Sequence, residues 1–239
     1  EQNFGTSMFS GVLMFYGIPA IPGPGAAAPG MPGTDWPDIM DAIGGSAMAP
    51  GYYAVVTRNV ARDTQQIEEA ISSKTKVIMP VHISGNPADM KNIIELAKKY
   101  DIKVIEDAAQ AHGAEWNNTK VGSLGLGGIF SFQTSKNMSA GEGGAIVSND
   151  KDFIDRCFSY HNCGRTTDGQ FYDHHFLGGN FRLNAIAASM LIPQIKSISN
   201  DMDLRDKNRA ILDRELSQIE GITINNSYQL TTRQSNHLY

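Results

Sequence analysis

The feature that most constrains the fold of this chain is a strand, a helix and a second strand packed into about thirty residues. The apolar run Thr75-Lys-Val-Ile-Met-Pro-Val-His82 predicts a buried strand. Asn86-Pro87 predicts a helix start, with a capping side chain followed by proline at the first helical position. Met90, Ile93, Ile94 and Ala97 then share one helical face, and Ile102-Lys-Val-Ile-Glu106 is the next strand. Two parallel strands need a crossover of this length, so the pattern predicts an α/β fold with a mostly parallel central sheet and helices on both faces.

The rest of the chain extends the alternation. Asp63 or Thr64 can cap a helix with Ile67, Ala70 and Ile71 on one face. Strands fit Gly128–Gln133 and Gly144–Ser148, and a helix fits Lys151–His161. An apolar helix fits Asn184–Ile195, bent or ended near Pro193, and a polar helix follows from Asp201 to Ile219. Glycine and proline are dense between Gly17 and Gly33, which marks loops and turns.

Composition excludes several classes. A formal net charge of -5 argues against nucleic acid as the main partner, because phosphate binding needs a basic face. The run Phe9–Ile21 falls short of the roughly 20 apolar residues that span a bilayer, and Pro19 interrupts it. Cys157 and Cys163 make no disulfide framework, and no signal peptide is visible, so the expected location is the cytoplasm. The chain starts without Met and stops at Asn236-His237-Leu238-Tyr239, a pattern that fits a strand cut short, so it is expected to be a fragment.

In open α/β sheets ligands sit beyond the carboxyl ends of strands. Three polar clusters fall at such ends: Glu106 to Gly113, Phe130 to Asn137, and Gly141 to Gly144. Pyridoxal phosphate needs a lysine amine for its aldehyde and a carboxylate for its ring nitrogen. It also needs hydroxyls and N–H groups for its phosphate, and a flat partner for its ring. Lys136, Asp107, Ser131 and Trp36 can supply these in order. Each also has an ordinary use: a solvated lysine, a helix-capping aspartate, a strand serine and a core aromatic. The set predicts a site without naming one cofactor. The adjacent pair His174-His175 is no metal site by itself, since neighbours rarely point at one ion. Gly122-Ser-Leu-Gly125-Leu-Gly127 lacks a phosphate-loop lysine and predicts a tight connection before a strand.

These motifs carry a resemblance. Val104-Ile-Glu-Asp-Ala-Ala-Gln-Ala-His-Gly113, Val121-Gly-Ser-Leu-Gly125, Phe130-Ser-Phe132, Lys136-Asn137 and Gly141-Glu-Gly-Gly144 closely resemble the sugar aminotransferases of the DegT/DnrJ/EryC/StrS type. So do Pro80–Met90 and Gly179-Asn180-Phe-Arg182. The resemblance implies the fold-type I aminotransferase architecture, with a seven-stranded large domain, a smaller C-terminal domain and an obligate homodimer. It implies pyridoxal 5'-phosphate as cofactor, with Lys136 as the Schiff-base lysine and Asp107 facing the pyridine nitrogen. Gln110 would lie near the phenolic oxygen and Ser131 on the phosphate. Gly5, Thr6 and Ser7 resemble the short phosphate loop, Thr34 and Trp36 the threonine–aromatic pair that stacks on the ring. Asn180 resembles the asparagine that reaches the phosphate from the neighbouring subunit. The implied reaction moves an amino group from glutamate or glutamine to a keto-sugar, a nucleotide-linked keto-sugar or a keto-cyclitol. Related dehydratases carry histidine where Lys136 stands, and a catalytically silent regulatory protein is the reading from another class. The expected division is a cofactor-binding large domain over 1–200, with a linking helix and the start of a C-terminal domain over 201–239. Residues 19–33 are richer in proline and glycine than the family pattern, and 53–62 lack its acidic strand end.

Overall fold

The structure is a computed structural model that describes residues 53–57, 64–170 and 172–239. Gly5, Thr6, Ser7, Thr34 and Trp36 lie outside the described residues, as does Asp63. The elements are β1 (Tyr53–Thr57), α1 (Thr64–Ala70), β2 (Thr75–Pro80), α2 (Met90–Tyr100), β3 (Lys103–Asp107), β4 (Glu115–Trp116), β5 (Thr119–Lys120), β6 (Gly127–Ser131), β7 (Gly144–Val147), α3 (Lys151–His161), α4 (Ala185–Leu216) and β8 (Thr231–Arg233).

Five strands form one sheet in the order β1-β2-β3-β6-β7. β1, β2, β3 and β6 run parallel, and β7 closes the edge antiparallel to β6. The described residues thus supply five strands where the resemblance implied seven. β2 is buried at every position but Lys76, the near-continuous apolar pattern of a strand covered on both faces. One layer of core joins Ile67, Ile78, Met90, Ile93, Ala97 and Trp116; another joins Val77, Met79, Ile105 and Phe153. Val77 and Ile78 point to opposite faces, so consecutive residues feed different layers.

Several local expectations need correction. α1 buries Ile67, but Ala70 is exposed. α2 starts at Met90, not at Asn86-Pro87. Asp89 is its cap, with a carboxylate that accepts from the Asn92 N–H, while Asn86 closes the short 3-10 turn Ile83–Gly85. From that turn the Ser84 N–H donates to Gln110, and the Ser84 and Gly85 carbonyls accept from the N–H groups of His237 and Ser235. α4 is one helix of 32 residues, not two. Pro193 removes the donor that would bond the Ser189 carbonyl, yet the helix continues; next to it Gln194 donates to the carbonyls of Met190 at 2.7 Å and Ser139 at 2.8 Å, which ties α4 to the β6–β7 loop. Asn184 caps α4 by accepting from the Ala187 N–H. Among the described residues no helix is long and apolar enough to cross a membrane.

A three-stranded sheet, β5-β4-β8, was not anticipated. Asn117 and Asn118 both take positive φ, 47° and 61°, and turn β4 into β5; asparagine tolerates that region better than most residues. β8 pairs with β4 and leads the chain back to the rim of the main sheet.

Candidate active site

Asp107 ends β3 and is 6% exposed. Its backbone carbonyl accepts from the His82 N–H at 3.0 Å. Its side-chain Oδ1 accepts from the Ala109 N–H at 3.0 Å, which fixes the carboxylate against the start of the following loop. Ser131 ends β6, two strand positions beyond Ile129, the residue paired with Asp107. Its hydroxyl accepts from the Gln133 N–H at 3.3 Å.

Lys136 sits on the loop between β6 and β7, half-buried. The loop is tied at several points. Phe132 N–H donates to Gly143 O at 2.7 Å, Ala140 N–H to Phe132 O at 2.8 Å, and Lys136 N–H to Gln133 O at 2.9 Å. Ser139 N–H donates to the side-chain oxygen of Gln194 on α4 at 2.8 Å. Burial holds the Lys136 amine below the ordinary lysine range, and the Asp107 carboxylate opposes that shift. The two groups therefore lie within electrostatic reach of each other. An amine that loses its proton more readily is a better nucleophile and proton carrier.

Gln110 follows Asp107 by three residues. Its amide oxygen accepts from the Ser84 N–H at 2.6 Å, which leaves the amide NH2 as the end able to donate to a ligand. Its backbone carbonyl accepts from Ser235 Oγ at 2.7 Å. Asn180 is exposed, and its side-chain oxygen accepts from Arg182 Nε at 2.9 Å. It does not cap α4, a task that falls to Asn184, and among the described residues no hydrogen bond links it to Lys136. The glycine-rich segment after Val121 cradles a carboxylate of the protein itself: the N–H groups of Gly122, Leu124 and Gly125 donate to Glu106.

The returning segment after β8 was not foreseen as part of the rim. Ser235 is 1% exposed and its N–H donates to Gly85 O at 2.9 Å. Asn137, next to Lys136, donates through Nδ2 to Ser235 O at 2.9 Å, and its Oδ1 meets His237 Nδ1 at 3.1 Å. Burial, with Lys136 and Arg205 nearby, pulls the His237 imidazole down to about 4. His112 is buried beside Phe130 and Phe132, with ring centroids at 5.4 and 5.8 Å, and is likewise pulled down to about 4, chiefly by burial. Neither His112 ring nitrogen makes a well-formed hydrogen bond among the described residues, although the Ser131 backbone lies close enough to favour the charged form slightly. The expectation of a strand cut short at 236–239 is corrected: β8 ends at Arg233, and 234–239 run irregularly, with Asn236 at φ 46°, because their backbone bonds to Ser84 and Gly85 instead of extending a sheet.

A mostly parallel sheet covered by helices, with a half-buried lysine on the β6–β7 loop and an aspartate at the end of β3, is the architecture of the fold-type I aminotransferase large domain. The chain matches the crystal structure of 3-amino-5-hydroxybenzoic acid synthase with a TM-score of 0.72 and 32% identity, covering 78% of this chain and 56% of that one. The chain belongs to the DegT/DnrJ/EryC1/StrS aminotransferase family, whose model matches residues 32–239. It is 39% identical over 162 residues to 3-amino-5-hydroxybenzoate synthase of Amycolatopsis mediterranei, covering 67% of this chain and 42% of the relative. It is 33% identical over 192 residues to the L-glutamine:2-deoxy-scyllo-inosose aminotransferase of Streptomyces lividus, covering 77% and 45%. It is 39% identical over 167 residues to a pleiotropic regulatory protein of Geobacillus stearothermophilus, covering 70% and 44%. The chain thus spans less than half the length of these relatives.

Proposed function

We propose that this chain is the cofactor-binding part, over 1–200, of a cytoplasmic pyridoxal-phosphate-dependent aminotransferase, with 201–239 leading into a second domain. The observation that carries the reading is the placement of a half-buried Lys136 on the loop after β6, beside the strand β3 that Asp107 ends, with burial easing loss of the amine's proton and Asp107 opposing it. The residues present fit the cofactor. Lys136 would offer the amine that ties its aldehyde, Asp107 the charge for its ring nitrogen, and Gln110, whose oxygen is engaged by the Ser84 N–H, an NH2 able to donate to its phenolic oxygen. The Ser131 hydroxyl, with Gly5, Thr6 and Ser7, suits the phosphate, and Trp36 beside Thr34 suits the ring face. When bound, pyridoxal phosphate supplies an electron sink for the carbon that loses its proton. Lys136 holds and moves that proton at Nζ. Asp107, anchored by the Ala109 N–H, keeps a negative charge beside the ring nitrogen without needing to reorient.

The amino group leaves glutamate or glutamine, which departs as its keto acid, and joins the keto group of a sugar, a nucleotide-linked sugar or a cyclitol. The S. lividus relative supports glutamine and a cyclitol within that range. The working unit we propose is a homodimer in which Asn180 reaches the partner's phosphate site. Exposed Leu177, Ile186 and Met190 flank Asn180 in sequence, and Ile186 and Met190 share a face of α4 at i, i+4 spacing, which suits burial against a second copy.

Borohydride reduction of the protein incubated with pyridoxal phosphate tests the reading. The label should appear on the tryptic peptide of Lys136, and Lys136→Ala should lose it; a label on another lysine would overturn the assignment. The Geobacillus relative supports a regulatory alternative. Transfer of a labelled amine to a keto-sugar or keto-cyclitol marks the aminotransferase, since neither a silent regulatory protein nor a dehydratase moves the label.

A further inference from the structure

Glu106 and His82 do nothing in the proposed chemistry, yet both are fully buried and bonded to each other. The Glu106 carboxylate collects four donors. At Oε2 these are His82 Nε2 at 3.0 Å and the Gly122 N–H at 2.7 Å. At Oε1 they are the Leu124 N–H at 2.7 Å and the Gly125 N–H at 2.9 Å. His82 Nδ1 accepts from the Ala88 N–H at 3.0 Å, so the ring proton sits on Nε2 and points at Glu106. The backbone of the same histidine donates to the Asp107 carbonyl at 3.0 Å, and Val81 bridges to Asp107 in parallel register. One residue therefore grips both members of the Glu106-Asp107 pair, one through its ring and the other through its main chain.

We infer that the His82–Glu106 pair is a positioning device for Asp107, which locks the carboxyl end of β3 so that the Asp107 carboxylate stands at a fixed place relative to the Lys136 amine. The inference rests on the reading of Asp107 and Lys136 as a working pair, but its test needs no cofactor.

The chemistry of the network makes it breakable by one atom. Glu106→Gln is nearly isosteric but turns one acceptor oxygen into an NH2 donor. In either orientation that NH2 faces two N–H donors. Moving the His82 proton to Nδ1 gives no relief, because it would then meet the Ala88 N–H. The network must open, and the end of β3 moves with it.

The readout is the pH midpoint of Lys136 reactivity in the cofactor-free chain, from competitive acetic anhydride labelling and mass spectrometry. The titratable groups that act on or around Lys136 are Asp107, His112 and His237. Asp107→Asn should lower the midpoint, since it removes the carboxylate that favours the ammonium. Glu106→Gln should shift it in the same direction by a smaller amount, about half a pH unit. His82→Gln keeps a donor toward Glu106 and should stay near wild type. His82→Asn keeps an acceptor for Ala88 but cannot reach Glu106, and should follow Glu106→Gln. If Glu106→Gln does not fold, the two His82 variants decide. A purely architectural pair would lower the melting temperature in every variant but leave the Lys136 midpoint of the folded protein at the wild-type value, and that result overturns the inference. So does an Asp107→Asn midpoint equal to wild type, which would mean that Asp107 is not felt at Lys136. Failure of the functional reading looks different: wild-type protein would take no borohydride-fixed label while the midpoint pattern held.

Discussion

His112 shows how far the rim departs from an aqueous setting. It is 1% exposed, packed between two phenylalanine rings, and resists protonation down to about 4 against an ordinary 6.5. A base depressed on folding contributes its stability in full above the ordinary value, and loses it as pH falls from there toward the folded value, because only the unfolded chain takes up the proton. Between pH 7 and pH 5 this one residue should lower stability by about 2 kcal/mol. His237 acts in the same direction. Urea unfolding at both pH values checks this: His112→Phe should flatten the dependence, and an unchanged slope would show that the imidazole titrates normally. The placement of Asp107 and Ser131 at strand ends, and of Lys136 on the loop beyond, was legible in the sequence because strand ends can be located. His112 was not, because its importance lies in an environment of two aromatic rings that only the fold assembles.

Elements were read well where caps and periodicity agreed. Lys151–His161 is a helix at both predicted ends, with the Asp150 carboxylate accepting from the Phe153 N–H. The start of α2 was misread because Asn86-Pro87 and Asp89 are rival start signals. The earlier pair lost because its residues serve the 3-10 turn that carries Ser84 to Gln110. The rival starts make different predictions. Asp89→Ala should cost about 1 kcal/mol of stability, the usual loss of an N-cap, whereas Asn86→Ala should not show a capping loss. Equal losses in chemical denaturation would contradict the observed start. A bend or an end was expected near Pro193; the helix does not end there, and sequence alone does not reveal that Gln194 reaches across to Ser139. The β4–β5 hairpin was missed although its Asn117-Asn118 turn is a recognisable signal, because strands of two residues are too short for any alternation to register.

At the scale of the whole molecule, the proposed dimer makes the sharpest prediction, to be tested with the intact full-length protein. One subunit carries Lys136→Ala and the other Asn180→Ala, each homodimer being inactive. If Asn180 serves the partner's site, one site carries both changes, the other is wild type, and activity returns. If it serves its own chain, each site carries one defect and the mixed dimer stays inactive. Asn180 is exposed; its backbone bridges to Asn162 and its side-chain oxygen accepts from Arg182, while its amide NH2 is a donor that a partner can use. The returning segment has a different consequence, one of timing. Gln110, Asn137 and Ser84 all bind residues between Ser235 and His237, about a hundred or more positions further along. A ribosome delivers the sheet strands long before it delivers those partners, so the nascent chain holds its lysine on a rim with one wall still unmade. Competence to capture a ligand there should arrive late in synthesis, as a step separable from formation of the sheet itself.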